Sequence, residues 1–302
     1  MRNLNIYNIR KWYKMLAGTS ILHVNQGVGK IYSKNDIGGY YNDLTEKVLR
    51  GKNLQKVKIP RLQLKNGQEV VFPIAVFQYG LGAYDLYLIE KKEIYINKFK
   101  LTADWALANQ EENGAWNNFF FNNPEAPFSA MAQGEGASLL IRAYKQLGMI
   151  EYLEAAEKAI EFMIMPVGDG GTTLYLGNDV FLQEFTKKPT VLNGWIFALF
   201  GLFDYVKVKG THWESELLDR TINSMAVNLH KFDNGYWSMY NMDAMITSPF
   251  YHNLHIAQLK VLYDLFDIDI FKKYYVRWEG YNKNHLYKTR AFMMKAYQKL
   301  TE

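Results

Sequence analysis

The chain has no cysteine, so disulfides, thiolate nucleophiles and cysteine-ligated zinc are all excluded. It also lacks any long apolar run. The longest, Trp195 to Phe203, falls far short of the roughly 20 residues that cross a bilayer. No P-loop, GxGxxG fingerprint, GxSxG elbow or HExxH site is present. The Gly134-Glu-Gly136 triplet sits inside a helix start and is too little for nucleotide binding. Charge of one sign is also scarce. Lys plus Arg number 35 against 30 Asp plus Glu, a net +5 with no dense basic block, which argues against nucleic acid. A mild positive excess does suit a polyanionic ligand. The apolar piece Met15 to Leu22 is short and lacks a small-residue cleavage site, so a cytoplasmic location is expected, with export left open.

Aromatic residues, by contrast, are abundant. They make up 16% of the chain, with 22 Tyr, 18 Phe and 7 Trp. They serve either a large aromatic core or a cleft in which flat sugar faces stack. Hydrophobic residues reach 49% of 302, enough for one large core plus a small extension.

The pattern divides near Pro73. Residues 1–72 read as an N-terminal extension carrying a β-hairpin over 58–64 and 69–72, with Asn66-Gly67 at its turn. Residues 73–302 read as helical. Periodicity predicts helices over 76–90 and 94–109, 129–147 and 150–164, 190–207 and 212–231, 250–266 and 268–280, and a last one over 284–300. Outer members are amphipathic, as in Ile150, Leu153, Ala156, Ile160 and Met163, whereas 191–206 is apolar on nearly every side. Glycines 114, 170 and 235 mark the seams at intervals of about 55–65 residues. The expected architecture is mainly α, an incomplete (α/α) toroid of about four helical hairpins with short β-hairpins at the seams. An irregular helical bundle is the alternative. In a toroid the seam loops surround one concave mouth, where function should lie.

Three stretches place polar groups where the apolar pattern does not call for them. Glu184 lies among Phe181, Leu182 and Phe185, just before the enclosed helix. It is either a surface strand residue or a carboxyl whose pKa is raised toward general-base work. Asn193 opens that helix as a cap or as a substrate contact. In 235–242, alternation predicts a short strand with Tyr236, Ser238 and Tyr240 on one face, and Tyr240 is either packing or a phenolic acid. In 248–259, Tyr251, His252 and His255 are spaced to share a helical face. No companion carboxylate makes the histidines a metal site, so neither a metal nor a cofactor is expected.

These stretches resemble the C-terminal region of D-glucuronyl C5-epimerases. The resemblance rests on Phe72-Pro-Ile-Ala-Val-Phe-Gln-Tyr-Gly-Leu-Gly82, Ser129-Ala-Met-Ala-Gln-Gly-Glu-Gly136 and Arg142-Ala-Tyr144. It continues through Glu184, Leu192-Asn-Gly194, Leu202-Phe-Asp204, Ser238-Met-Tyr240, Tyr251-His252 and His255-Ile-Ala-Gln-Leu259. It covers most of 72–280, and the N-terminal part matches poorly.

The resemblance implies inversion at C5 of a uronic acid within a polysaccharide, interconverting glucuronate and iduronate in a heparosan-like or capsular glycan. It makes Glu184 and Tyr251 the facing acid/base pair, with Tyr240 a further tyrosine of the site. Gln78, Tyr79, Gln133, Arg142, Asn193, His252 and His255 become the substrate-binding set. The partner it implies is an anionic polysaccharide, without nucleic acid or stable membrane insertion, and a homodimer is compatible. Two departures stand out. Phe185 occupies a position where the family has tyrosine, and Asp243 and Ala244 stand where it has an arginine. A polysaccharide lyase, which shares C5 proton abstraction, and a non-catalytic glycan-binding toroid are the alternatives.

Overall fold

A computed structural model describes residues 24–50, 55–64 and 66–301. The Met15 to Leu22 segment lies outside the described residues. A short helix α1 (Thr45–Leu49) and a hairpin β1 (Leu62–Gln63) and β2 (Glu69–Val70) precede the helical body. The body then runs α2 (Pro73–Glu90), α3 (Glu93–Ala108), α4 (Ala130–Leu147) and α5 (Ile150–Ile164). After β3 (Thr173–Leu176) and β4 (Asp179–Leu182) come α6 (Leu192–Val208), α7 (His212–Asn228), α8 (Pro249–Phe266), α9 (Asp269–Lys283) and α10 (His285–Thr301).

The expected toroid of helical hairpins is found. Helices pair as α2–α3, α4–α5, α6–α7 and α8–α9, while α2, α4, α6 and α8 pack side by side as an inner arc. Local chemistry sets the boundaries. Pro73 and Pro249 open α2 and α8, where a missing N–H costs nothing, and Ser248 caps α8. Tight turns end α2, α4 and α8 through left-handed Lys91, Gly148 and Asp267. Helix α6 is buried along most of its length, as its unbroken apolar run requires.

Residues 32–49, a strap that ends in α1, bridge α2 and α8 at the two ends of the arc. Tyr32 donates its hydroxyl to Asp264 of α8 at 2.9 Å, and Lys34 pairs with the same carboxylate at 3.1 Å. Further along, the Tyr40 amide donates to Asp85 of α2 at 2.9 Å. Tyr40, Tyr41, Leu44 and Val48 belong to the same core as the helices. The stretch between the strap and α2 is thinner than the sequence suggests. Among the described residues the 58–72 hairpin pairs Leu62 with Val70 and Gln63 with Glu69, and the Leu64 amide donates to the Gln68 carbonyl at 2.8 Å.

The seam after α7 differs from expectation. Residues 235–242 form isolated bridges, Asp233 to Ser238 and Met239 to Ile246, in place of a regular strand. Tyr236 turns toward Tyr287 of α10, while Trp237 and Ser238 both turn to His252. Stacking of Trp237 on the His252 ring, with centroids 3.7 Å apart, outweighs the alternation of an extended chain. Among the described residues no helix is long and apolar enough to cross a membrane.

Candidate active site

Glu184 follows β4, and its neighbours fix its backbone. Gln183 donates its amide to the Thr172 carbonyl, accepts from the Ala130 amide at the start of α4, and reaches Thr190 with its side chain at 2.9 Å. The Glu184 side chain then lies against the first turn of α6 and is 7% exposed, so the surface-strand reading does not hold. Its Oε2 is buried without a hydrogen-bond partner among the described residues. Burial pushes the carboxyl up to about 8, with the Lys188 charge pulling the other way.

Tyr251 sits in the first turn of α8, its amide directed at the Ser248 cap. Its phenol is raised above the ordinary value by burial and then by the charge of Glu184. Tyr240 meets it edge-on, with centroids 5.1 Å apart and planes at 69°. The Tyr240 phenol is likewise raised, by burial, by Glu184 and by Tyr251. Glu184 and Tyr251 line one cleft of about 190 Å³, together with Asn193, Gln78, Gln26 and Lys47, and with Phe119 and Phe197 among its apolar walls.

The remaining expected residues divide. Gln78 and Asn193 line the cleft. Gln133 is fully buried off the lining and donates to the Trp116 carbonyl at 3.5 Å. Tyr79 is half-buried among apolar neighbours, and burial pushes its phenol up to about 12.

Arg142 is enclosed in the inner arc. It pairs with Asp204 at 2.5 Å and donates to the carbonyls of Gly38, Gly39 and Ser138. His252 accepts from the Ser238 amide at Nδ1 and therefore donates from Nε2 to the Trp278 carbonyl at 3.1 Å. His255 reaches the Ser238 hydroxyl at 3.3 Å. Burial pulls both imidazoles down to about 3, so they are neutral and braced inside the protein. Phe185 stacks on Phe119 at 4.6 Å and extends the aromatic wall. Ala244 takes a left-handed turn conformation beside Asp243, so this loop carries no cation at those two positions.

Two groups escaped the sequence reading. Lys47 is contributed by α1. Glu135, fully buried on α4, accepts from Gln78 at 2.9 Å and is pushed up to about 8 by burial, with the Glu184 charge adding to the shift. Nothing marks Lys47 in sequence. Glu135 stood inside the Gly134–Gly136 triplet, too little for a nucleotide motif, and inside the Ser129–Gly136 stretch of the resemblance, where it was given no role. Among the described residues no group of three His, Asp or Glu side chains is placed to hold a metal.

A helical toroid whose cleft is lined by a buried carboxyl and the Tyr251 phenol, with Tyr240 packed against Tyr251 off the lining, defines the class of this molecule. Residues 110–280 match the family model for the D-glucuronyl C5-epimerase C-terminus, and the chain belongs to that family. It is 27% identical to a D-glucuronyl C5-epimerase of Caenorhabditis elegans over 223 residues, 64% of this chain and 36% of that protein. It is 29% identical over 155 residues to an uncharacterized protein of Methanocaldococcus jannaschii, 49% of this chain and 50% of that one. The chain thus spans half or less of the length of these relatives. Among solved structures, an inactive variant of the α-1,6-mannanase GH76A of Salegentibacter sp. HEL1_6, in complex with α-1,6-mannotetrose, superposes with a TM-score of 0.45. That match has 14% identity and covers 72% of this chain and 63% of the other.

Proposed function

We propose that the chain is a C5-epimerase of uronic acid polymers, interconverting glucuronate and iduronate residues in a heparosan-like or capsular glycan. The observation that carries this reading is that Glu184 and Tyr251 line the same cleft, with the Glu184 charge acting on the Tyr251 phenol. Inversion next to a carboxylate needs one group to take the C5 proton and another to return a proton on the opposite face. With Glu184 at about 8, roughly a tenth of it is ionised at pH 7. That minor form is the base.

Glu184 carboxylate removes the C5 proton, and the C–H electron pair moves into the substrate carboxylate to give an enediolate dianion. Tyr251 then gives its hydroxyl proton to C5 from the other side, leaving Glu184 protonated and Tyr251 as phenolate. The pair begins and ends with one negative charge. Burial, and after it the charge of Glu184, raises Tyr251, so a second negative charge on the pair is disfavoured. Proton exchange with water resets the pair, and the reverse direction uses the phenolate as base. Amide groups of Gln78 and Asn193 on the cleft wall suit hydrogen bonding to the developing charge. A volume of about 190 Å³ lies below the ~300–1,000 Å³ of drug-sized pockets, which suits one sugar unit at the reacting centre.

Incubation with heparosan and related uronans in deuterated water, followed by NMR at C5, tests the reading. The expected result is deuterium at C5 in both epimers with the chain uncut. Ultraviolet-absorbing unsaturated ends would assign a lyase, and binding without exchange would assign a glycan-binding toroid. Either outcome overturns the epimerase reading.

A further inference from the structure

The cleft contains a charge that the family match does not cover. Lys47 lies on α1, outside the matched residues 110–280, yet it lines the cleft with Glu184, Gln78 and Tyr251. It is the only Lys or Arg on that lining among the described residues.

Its position is built into the fold. Helix α1 packs on α2, and the strap approaches so closely that a Cβ at Gly82 would stand 2.3 Å from the Leu44 carbonyl oxygen. Just upstream, Tyr41 donates its hydroxyl to Asp204 at 2.6 Å, and Arg142 holds the Gly38 and Gly39 carbonyls at 3.0 and 3.1 Å. Each of these contacts is buried or nearly so, so α1 cannot slide along α2 without leaving polar groups unpaired.

The other ionisable side chains on the lining, Glu184 and Tyr251, are acids, and Glu135 lies behind Gln78. A uronate held with C5 between Glu184 and Tyr251 brings its carboxylate, one bond from C5, into this acidic surrounding. Without a cation the wall would disfavour that anion, and it would disfavour the enediolate dianion more. We propose that Lys47 binds the carboxylate of the substrate and makes the cleft select uronate over the corresponding neutral hexose, an inference that rests on the C5-epimerase reading above. Burial draws Lys47 down to about 8 while Glu135 pulls it back up, so the ammonium form still predominates at pH 7.

The test compares binding of a heparosan oligosaccharide with that of its carboxyl-reduced counterpart, by calorimetry at pH 7. C5 exchange is followed in parallel, and thermal melting checks the fold. Wild-type protein should prefer the carboxylate form. Lys47→Met should weaken that binding about tenfold or more, a loss of one decade in Kd or greater. It should leave the carboxyl-reduced ligand unaffected, and Lys47→Arg should restore most of the preference. Lys47→Gln serves the same comparison if the Met variant melts early.

Equal losses for both ligands, unchanged uronate binding in Lys47→Met, or no wild-type preference would each overturn the assignment. Wild-type preference with the predicted Lys47 dependence but no C5 exchange would sink the epimerase reading and keep Lys47 as the carboxylate contact. Exchange that persists with unaltered binding in Lys47→Met would sink Lys47 alone.

Discussion

The Glu184 side chain fills the space in which a side chain at Gly194 would begin. A Cβ placed there would lie 2.4 Å from Oε2 and 2.7 Å from the Glu184 Cβ. Glycine is therefore the residue that lets the carboxyl occupy its place at the start of α6. Gly194→Ala should displace Glu184 by about an ångström, a shift that can cost roughly 10² in rate. The overpacking should destabilise the fold by about 1–3 kcal/mol. C5 exchange and urea denaturation of the same variant check this. Exchange near the wild-type rate would show that the observed Glu184 position does not matter.

The pH dependence of stability follows from the buried acids. Glu184 and Glu135 are each held at about 8, against roughly 4.3 for an ordinary glutamate. Between those values the folded chain binds more protons than the unfolded one, so stability declines as pH rises through the window. Asp85, held at about 7 by burial, adds to the decline over the lower part of that range. His252 and His255, pulled down to about 3, act oppositely, and their effect is complete once pH exceeds the unfolded value near 6.5. Lys47, lowered to about 8, begins to matter only above that. From about pH 6.5 to 8 the Tm should therefore fall, and Glu184→Gln should flatten the slope. The exchange rate of the wild-type protein should rise over the same interval as the carboxylate form fills. A Tm that climbs, or a slope unaltered by Glu184→Gln, contradicts the assignment.

Most of the helical body was legible because its signals are local. The boundaries of α5 at Ile150 and Ile164 follow from a stripe of apolar residues. The enclosure of α6 follows from a run with no polar side. What was not legible depends on contacts distant in sequence. Nothing near Lys47 in the chain shows that it shares a cleft with Tyr251, because the strap that brings it there is held through Asp85, Asp204 and Asp264. The resemblance placed Arg142 and His252 among the substrate contacts. Their donors are instead consumed by buried carbonyls, which spacing cannot reveal.

His252 is the first case in which that distinction can be measured. Its ring accepts from Ser238, donates to the Trp278 carbonyl and lies flat on Trp237. His252→Leu should leave the buried Ser238 amide unpaired, at about 1–3 kcal/mol. KM for the polymer should stay near the wild-type value in whatever fraction remains folded, because the imidazole does not line the cleft. A stable variant with a raised KM would place the ring on the substrate after all.

Arg142 and Asp204 make the stronger case, since both are almost fully buried and together tie three parts of the chain. Asp204 accepts from Tyr41 at 2.6 Å and Ser138 at 2.7 Å, while Arg142 donates to Gly38, Gly39 and Ser138 carbonyls and lies 5.3 Å from the Tyr40 ring centroid. Removing one partner strands the other charge, at a cost of about 3–5 kcal/mol. Arg142→Lys should not rescue it, because a single ammonium cannot span carbonyls on the strap and on α4 at once. The strap that carries Lys47 is held by this network, so Arg142→Lys should also loosen α1. Hydrogen exchange should then rise first across residues 37–48, while the α4–α6 pairing stays protected. Uniform loss of protection over the whole inner arc would mean that the pair stabilises the toroid generally and does not anchor the strap.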